Sequence, residues 1–383
     1  MEYAIETRCQ HLADELRKDR AYGALSYPIY LTSTFVHKEV GVSTGYDYSR
    51  LQNPTREQLE RTVASLEKGK RALAFSSGMA AITAAMELFS PGDHILIEKD
   101  LYGGSVRLFQ NINQKNGLEF TSVDFSLEDP FSYIKENTKA VFVETPSNPM
   151  MHVIDLEKLG KFAKERELLL IVDNTFLSPY LMNPIDFGAD LVVHSGTKYL
   201  GGHNDLLAGF LVTAREDLAE KLEFILKTTG GNLAPFDSWL TLRGIKTLPV
   251  RMKQSGENAH KIAEFLLQQA AVTKVLYPGL KDHPGHDVIK SQSRGFGAVL
   301  TFEVDTVKRA HYILNNLKII QFAESLGGTE SLITYPKTQT HADLSEEERL
   351  SVGITDRILR LSVGIENVED LIRDLSNVLT AKI

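Results

Sequence analysis

From Pro54 onward, apolar and polar positions follow two alternating patterns. Leu59, Val63 and Leu66 fall at helical spacing, with Thr55 as the expected N-cap and charged residues after it. Short, unbroken apolar runs then recur at 72–75, 95–98, 120–123, 141–144, 168–172, 191–194 and 210–213. Helix-like stretches such as 79–89 and 156–166 separate the first five runs. In the second of these, Leu156, Leu159 and Ala163 form one apolar stripe. Runs of this kind between helices predict an α/β fold, with a mostly parallel, seven-stranded sheet covered on both faces.

Past residue 246 the pattern changes. Ala259, Ile262, Ala263 and Leu266 mark a helix over 257–269. Strand-like segments 275–277, 298–304 and 359–363 alternate with helix-like 307–315 and 368–379. The expected organisation is an aperiodic N-terminal arm (1–47), a large α/β domain (48–246) and a smaller α+β domain (247–383). The arm must dock on something to be ordered.

Composition narrows the function classes. A balance of 42 Lys+Arg against 50 Asp+Glu gives a net charge of −8, which disfavours phosphate-backbone binding and so a nucleic-acid role. The single cysteine, Cys9, can form neither an internal disulfide nor a multi-cysteine zinc site. The polar N-terminus and the lack of an apolar run of ~18–20 residues predict a cytoplasmic protein with no membrane contact. His283-Pro284-Gly285-His286 reads as a turn, and no metal site is expected. Neither GxxxxGK[ST] nor GxGxxG opens the α/β domain.

In open parallel sheets, ligands bind beyond the carboxyl ends of the strands. Four polar clusters stand there. Ser76-Ser77-Gly78-Met79 joins a strand to a helix and offers free N–H groups to an anion such as phosphate. Glu144-Thr145-Pro146-Ser147-Asn148-Pro149 follows the fourth run. Asp173 ends a run of apolar residues, where a carboxylate needs a cation or hydrogen bonds. Lys198 follows His194-Ser195-Gly196-Thr197. A lysine near a buried strand end is a candidate nucleophile. Taken singly, each cluster also reads as an ordinary turn, cap or surface residue. Together, a phosphate cradle, a carboxylate and an amine suit pyridoxal 5′-phosphate (PLP).

The motifs resemble those of the Cys/Met-metabolism (trans-sulfuration) family of PLP-dependent enzymes. The likeness rests on Asp173-Asn174-Thr175-Phe176 and His194-Ser195-Gly196-Thr197-Lys198-Tyr199, on Tyr48-Ser49-Arg50 with Asn53-Pro54-Thr55-Arg56, and on Ser77-Gly78-Met79. Tyr102-Gly103-Gly104, Glu144 to Pro149, Ala323-Glu324-Ser325-Leu326-Gly327-Gly328 and Arg360-Leu361-Ser362-Val363-Gly364 complete it, in family order nearly end to end. The resemblance implies the PLP-dependent transferase fold type I and a homotetramer of tight dimers acting on small amino-acid substrates.

It also implies residue roles. Lys198 carries the cofactor and moves protons, and Asp173 faces the pyridine nitrogen. Tyr102 stacks on the ring as a candidate acid/base. Gly78, Met79, Ser195 and Thr197 bind the phosphate, and Tyr48 and Arg50 reach the phosphate of the neighbouring subunit. Arg360, with Asn148 and Ser325, holds the substrate α-carboxylate. Arg107 and Glu324 are placed to meet a distal carboxylate and a distal ammonium. Gly104 stands where the methionine γ-lyase subgroup usually has cysteine, which argues against that activity. The implied reaction is replacement of the γ-acyloxy group of an O-acylated homoserine by cysteine, giving cystathionine. Cleavage of cystathionine at its γ- or β-carbon is the alternative.

Overall fold

In the computed structural model, residues 3–11 and 23–383 are described; part of the expected arm lies outside them. All seven apolar runs are strands of one sheet. They are β1 (Arg71–Phe75), β2 (His94–Glu98), β3 (Glu119–Val123), β4 (Thr138–Glu144), β5 (Leu169–Asp173), β6 (Leu191–Ser195) and β7 (Gly209–Thr213). The spatial order is β1-β7-β6-β5-β4-β2-β3. Neighbours from β6 to β3 run parallel, whereas β7 is antiparallel to both β6 and β1. The sheet is therefore mostly parallel, as the unbroken apolar runs require.

The C-terminal part carries a second sheet of β8 (Val272–Leu276), β9 (Val299–Val304), β10 (Gln321–Phe322), β11 (Leu332–Thr334) and β12 (Ile358–Ser362). Its order is β10-β11-β12-β9-β8, antiparallel except for the β10–β11 pair. The architecture is the expected one: a large, mixed seven-stranded sheet and a smaller second sheet.

Several local expectations are corrected. Asn53, not Thr55, caps the helix Pro54–Glu67, accepting from the Thr55 N–H. Pro54 lacks an N–H and favours the first helical position, which moves the cap two residues upstream. The Thr55 hydroxyl instead donates to the Pro28 carbonyl. The helix expected over 257–269 runs Leu248–Leu267, because Pro249 lies in its first turn, where proline is tolerated. Strands β10 and β11 are too short to show a period and carry no sequence signal.

The expected stripes do face the core. Leu156, Leu159 and Ala163, and Ala259, Ile262, Ala263 and Leu266, are all buried. His283 Nδ1 accepts from the Gly285 N–H within its own turn. No helix among the described residues is long and apolar enough to cross a membrane.

Candidate active site

The carboxyl ends of β4, β5 and β6 open on a cavity of about 190 Å³. Its other wall comes from β12 and the loop between β10 and β11. Eleven of the fourteen sequence-predicted residues line it: Gly78, Met79, Tyr102, Asn148, Asp173, Ser195, Thr197, Lys198, Glu324, Ser325 and Arg360.

One end is an anion cradle. Ser77 caps the helix Gly78–Met86, its side chain accepting from the Ala80 N–H at 3.1 Å. The N–H groups of this first turn have no helical partners. A Cβ on Gly78 would come within 3.0 Å of Ser195 Cβ and 3.2 Å of its Cα, so glycine permits the close approach of β6 to this turn. Thr197 is held by Ala208, whose N–H donates to Thr197 Oγ1 at 3.1 Å.

In mid-cavity, Asp173 Oδ1 accepts from the Thr175 N–H (3.0 Å) and hydroxyl (2.6 Å). The same Thr175 oxygen accepts from the Ser195 N–H at 2.8 Å, tying β5 to β6. Burial pushes the Asp173 carboxyl up, and the Thr175 hydroxyl pulls it back. Glu144 pairs in register with Asp173. It is buried, and its Oε2 accepts from the Tyr102 N–H at 3.0 Å. Burial, and then the Asp173 charge, hold Glu144 well above the usual carboxylate range. The sequence reading assigned Glu144 no role. The available signal was a carboxylate ending an apolar run, the feature that singled out Asp173.

At the far end, Lys198 Nζ donates to Ser325 Oγ at 2.9 Å. Burial first, and then the neighbouring Arg360 charge, push the Lys198 amine down to about 8. Ser325 has φ +135°, a conformation that L-residues rarely adopt and that is concentrated at functional sites. Arg360 is 1% exposed. Its Nη1 donates to Asn148 Oδ1 (2.8 Å) and its Nη2 to the Ser325 carbonyl (2.8 Å) and Thr334 Oγ1 (3.0 Å). Its Nε has no partner. A buried guanidinium with an idle N–H has the chemistry to receive an anion.

Three predicted residues lie outside this cavity. Tyr48 and Arg50 are exposed and stack on each other, with the Arg50 guanidinium carbon 5.5 Å from the ring centroid. Arg107 is exposed and paired with Asp343.

The residues present fit PLP: a helix-terminal cradle for phosphate, a carboxylate that a protonated ring nitrogen would neutralise, and a poorly solvated amine for the aldehyde. Known proteins agree. A family model described as "Cys/Met metabolism PLP-dependent enzyme" matches residues 8–380. The chain is 49% identical over 362 residues to a cystathionine γ-lyase of Bacillus subtilis, covering 94% of this chain and 96% of that one. It is 46% identical over 380 residues to a cystathionine β-lyase of Lactococcus lactis, covering 99% and 100%. A solved cystathionine γ-synthase from Xanthomonas oryzae pv. oryzae, in complex with aminoacrylate and cysteine, superposes with a TM-score of 0.96 at 40% identity, covering 99% and 98%. The chain therefore belongs to the Cys/Met-metabolism family of PLP-dependent enzymes.

Proposed function

We propose that this enzyme replaces the γ-acyloxy group of an O-acylated homoserine with cysteine, releasing cystathionine, as a cystathionine γ-synthase does. The observation that carries this reading is the Lys198 amine, sharing one cavity with the Arg360 guanidinium and the Glu324 carboxylate. Bound PLP supplies the electron sink that makes the substrate α-proton acidic. The chain's own groups do the rest.

Gly78, Met79, Ser195 and Thr197 bind the phosphate, and Asp173 pairs with the ring nitrogen. Arg360, set by Asn148 and Ser325, clamps the substrate α-carboxylate. Lys198 takes the α-proton and then a β-proton. The γ-acyloxy group leaves as a free carboxylate, the cysteine thiolate adds at the γ-carbon, and Lys198 returns the protons to the β- and then the α-carbon, giving cystathionine. Tyr102 lies on the same wall and serves as a second acid/base. Glu324 meets the distal ammonium of cystathionine. Arg107 meets its distal carboxylate once it releases Asp343. Tyr48 and Arg50 complete the phosphate site of a neighbouring copy in a homotetramer of tight dimers, which accounts for their exposure here.

The test is product identification. The purified enzyme is given O-acetyl- or O-succinylhomoserine with cysteine, and separately cystathionine. Cystathionine is the expected main product of the first reaction. Faster release of cysteine and 2-oxobutyrate from cystathionine would assign γ-cleavage. Faster release of homocysteine and pyruvate would assign β-cleavage, the activity in the name of the Lactococcus relative.

A second prediction follows from the amine. Only neutral Lys198 attacks an aldehyde, and burial favours that neutral form. Capture of PLP by apoenzyme should therefore rise with pH to a midpoint near 8. Stopped-flow absorbance at a series of pH values reads it. A midpoint near the ordinary lysine value of 10.5 would contradict the burial argument.

A further inference from the structure

A second group of buried polar side chains lies behind Asp173. Glu67, the last residue of the helix Pro54–Glu67, is completely buried. Its Oε1 accepts from Asn174 Nδ2 at 3.0 Å and its Oε2 from Asn183 Nδ2 at 3.1 Å. Both asparagines are themselves buried. His194, 1% exposed, presents Nε2 to Glu67 Oε1 at 3.4 Å. That distance is too long for a strong hydrogen bond but within ion-pair reach, and this nitrogen has no other partner.

The group joins directly to the cavity wall. Asn174 follows Asp173, and its N–H donates to the Val193 carbonyl at 3.0 Å, one residue before His194. Asp173 pairs in register with Val193, and Ser195 follows His194. The imidazole is thus anchored on the same strand pair that presents Asp173 and the phosphate-binding serine.

A buried glutamate requires compensation. Two amides and the nearby Arg294, which also bonds Asn183, supply part of it. The His194 nitrogen is the remaining candidate. Asp173 has the opposite need: its carboxyl must be ionised to pair with a protonated pyridine ring, yet burial opposes ionisation. The Thr175 hydroxyl and N–H pull it back first, and the nearby His194 side chain adds to them.

We infer that Glu67 and His194 form a buried, ion-paired positioning pair that braces the β5–β6 strand ends and holds the Asp173 carboxylate toward the cofactor's ring nitrogen. The pair touches neither substrate nor cofactor. It acts through Asp173 and sets how well the ring withdraws electrons. The inference rests on the proposed placement of the ring nitrogen at Asp173.

The experiment loads wild type, Glu67→Gln, His194→Gln and Asp173→Asn with PLP labelled with ¹⁵N in the ring. It then records the ring-nitrogen NMR shift of each, which reports protonation directly and not packing. Glu67→Gln preserves shape and keeps one acceptor oxygen, so it can still accept from one of the two asparagines. The expected result is movement toward the unprotonated position in all three variants relative to wild type, largest for Asp173→Asn, with kcat about tenfold lower for the two outer variants, the scale seen when an outer hydrogen-bonding partner of a reactive group is removed. An unshifted Asp173→Asn signal would overturn the ring placement itself. A shifted Asp173→Asn signal with wild-type signals in the other two would overturn the role of the pair. If one outer variant fails to fold, as judged by thermal melting, the other decides alone.

Discussion

Replacing Lys198 with alanine should lower turnover by about 10⁴-fold, because one side chain supplies both the covalent anchor and the proton transfers. The loss should come with a second signature. Borohydride reduction of wild-type holoenzyme should fix the cofactor on a single peptide containing Lys198, and the variant should carry no label. The fold should survive, since the amine makes one hydrogen bond, to Ser325, and leaves a cavity that is already open. Label on another lysine, or retained turnover in an unlabelled variant, would remove Lys198 from its role. So would an intact absorbance band in the variant after dialysis.

The second large effect belongs to Arg360. Arg360→Lys keeps a positive charge but loses the planar fork that contacts Asn148, Ser325 and Thr334. Removing one partner from a buried, hydrogen-bonded charge pair costs about 3 kcal/mol or more, or about a hundredfold or more in kcat/KM. The loss should fall on substrates that carry an α-carboxylate. An amine analogue without that carboxylate should react slowly with both proteins and distinguish them little. Equal losses on the two substrates would mean that Arg360 only supports the loop at Ser325. A thermal melt separates that structural contribution, because the same guanidinium joins β12 to β11 and to the segment after β4.

Much of this was legible in the residues alone. The seven runs were readable because strands buried on both faces are apolar throughout, and all seven form one sheet. Asp173 and Lys198 stood out because a charge at the end of such a run conflicts with its surroundings unless something answers it. Glu144 carried the same signal and headed one of the four clusters, but its place beside Asp173 in register is visible only in the sheet. The helix cap at Asn53 and the early start at Leu248 were missed for a common reason: proline is read as a breaker, yet it fits the first turn of a helix. The direction of β7 was not readable, because an apolar run looks the same in either direction.

Local pattern and chemistry along the chain were sufficient for the fold class, for the strand ends at which a ligand should bind, and for the residue types that suit PLP. Those properties depend on near neighbours and on side-chain character. The tertiary structure alone decided which distant residues meet. Ser325 reaches Lys198 across 127 positions of chain and Arg360 reaches Asn148 across 212. It also decided that Lys198 loses solvent beside a second cation, that Arg107 faces Asp343, and that Glu67 ends up under His194. Burial and electrostatic coupling are properties of assembled surroundings, and no local stretch of sequence contains them.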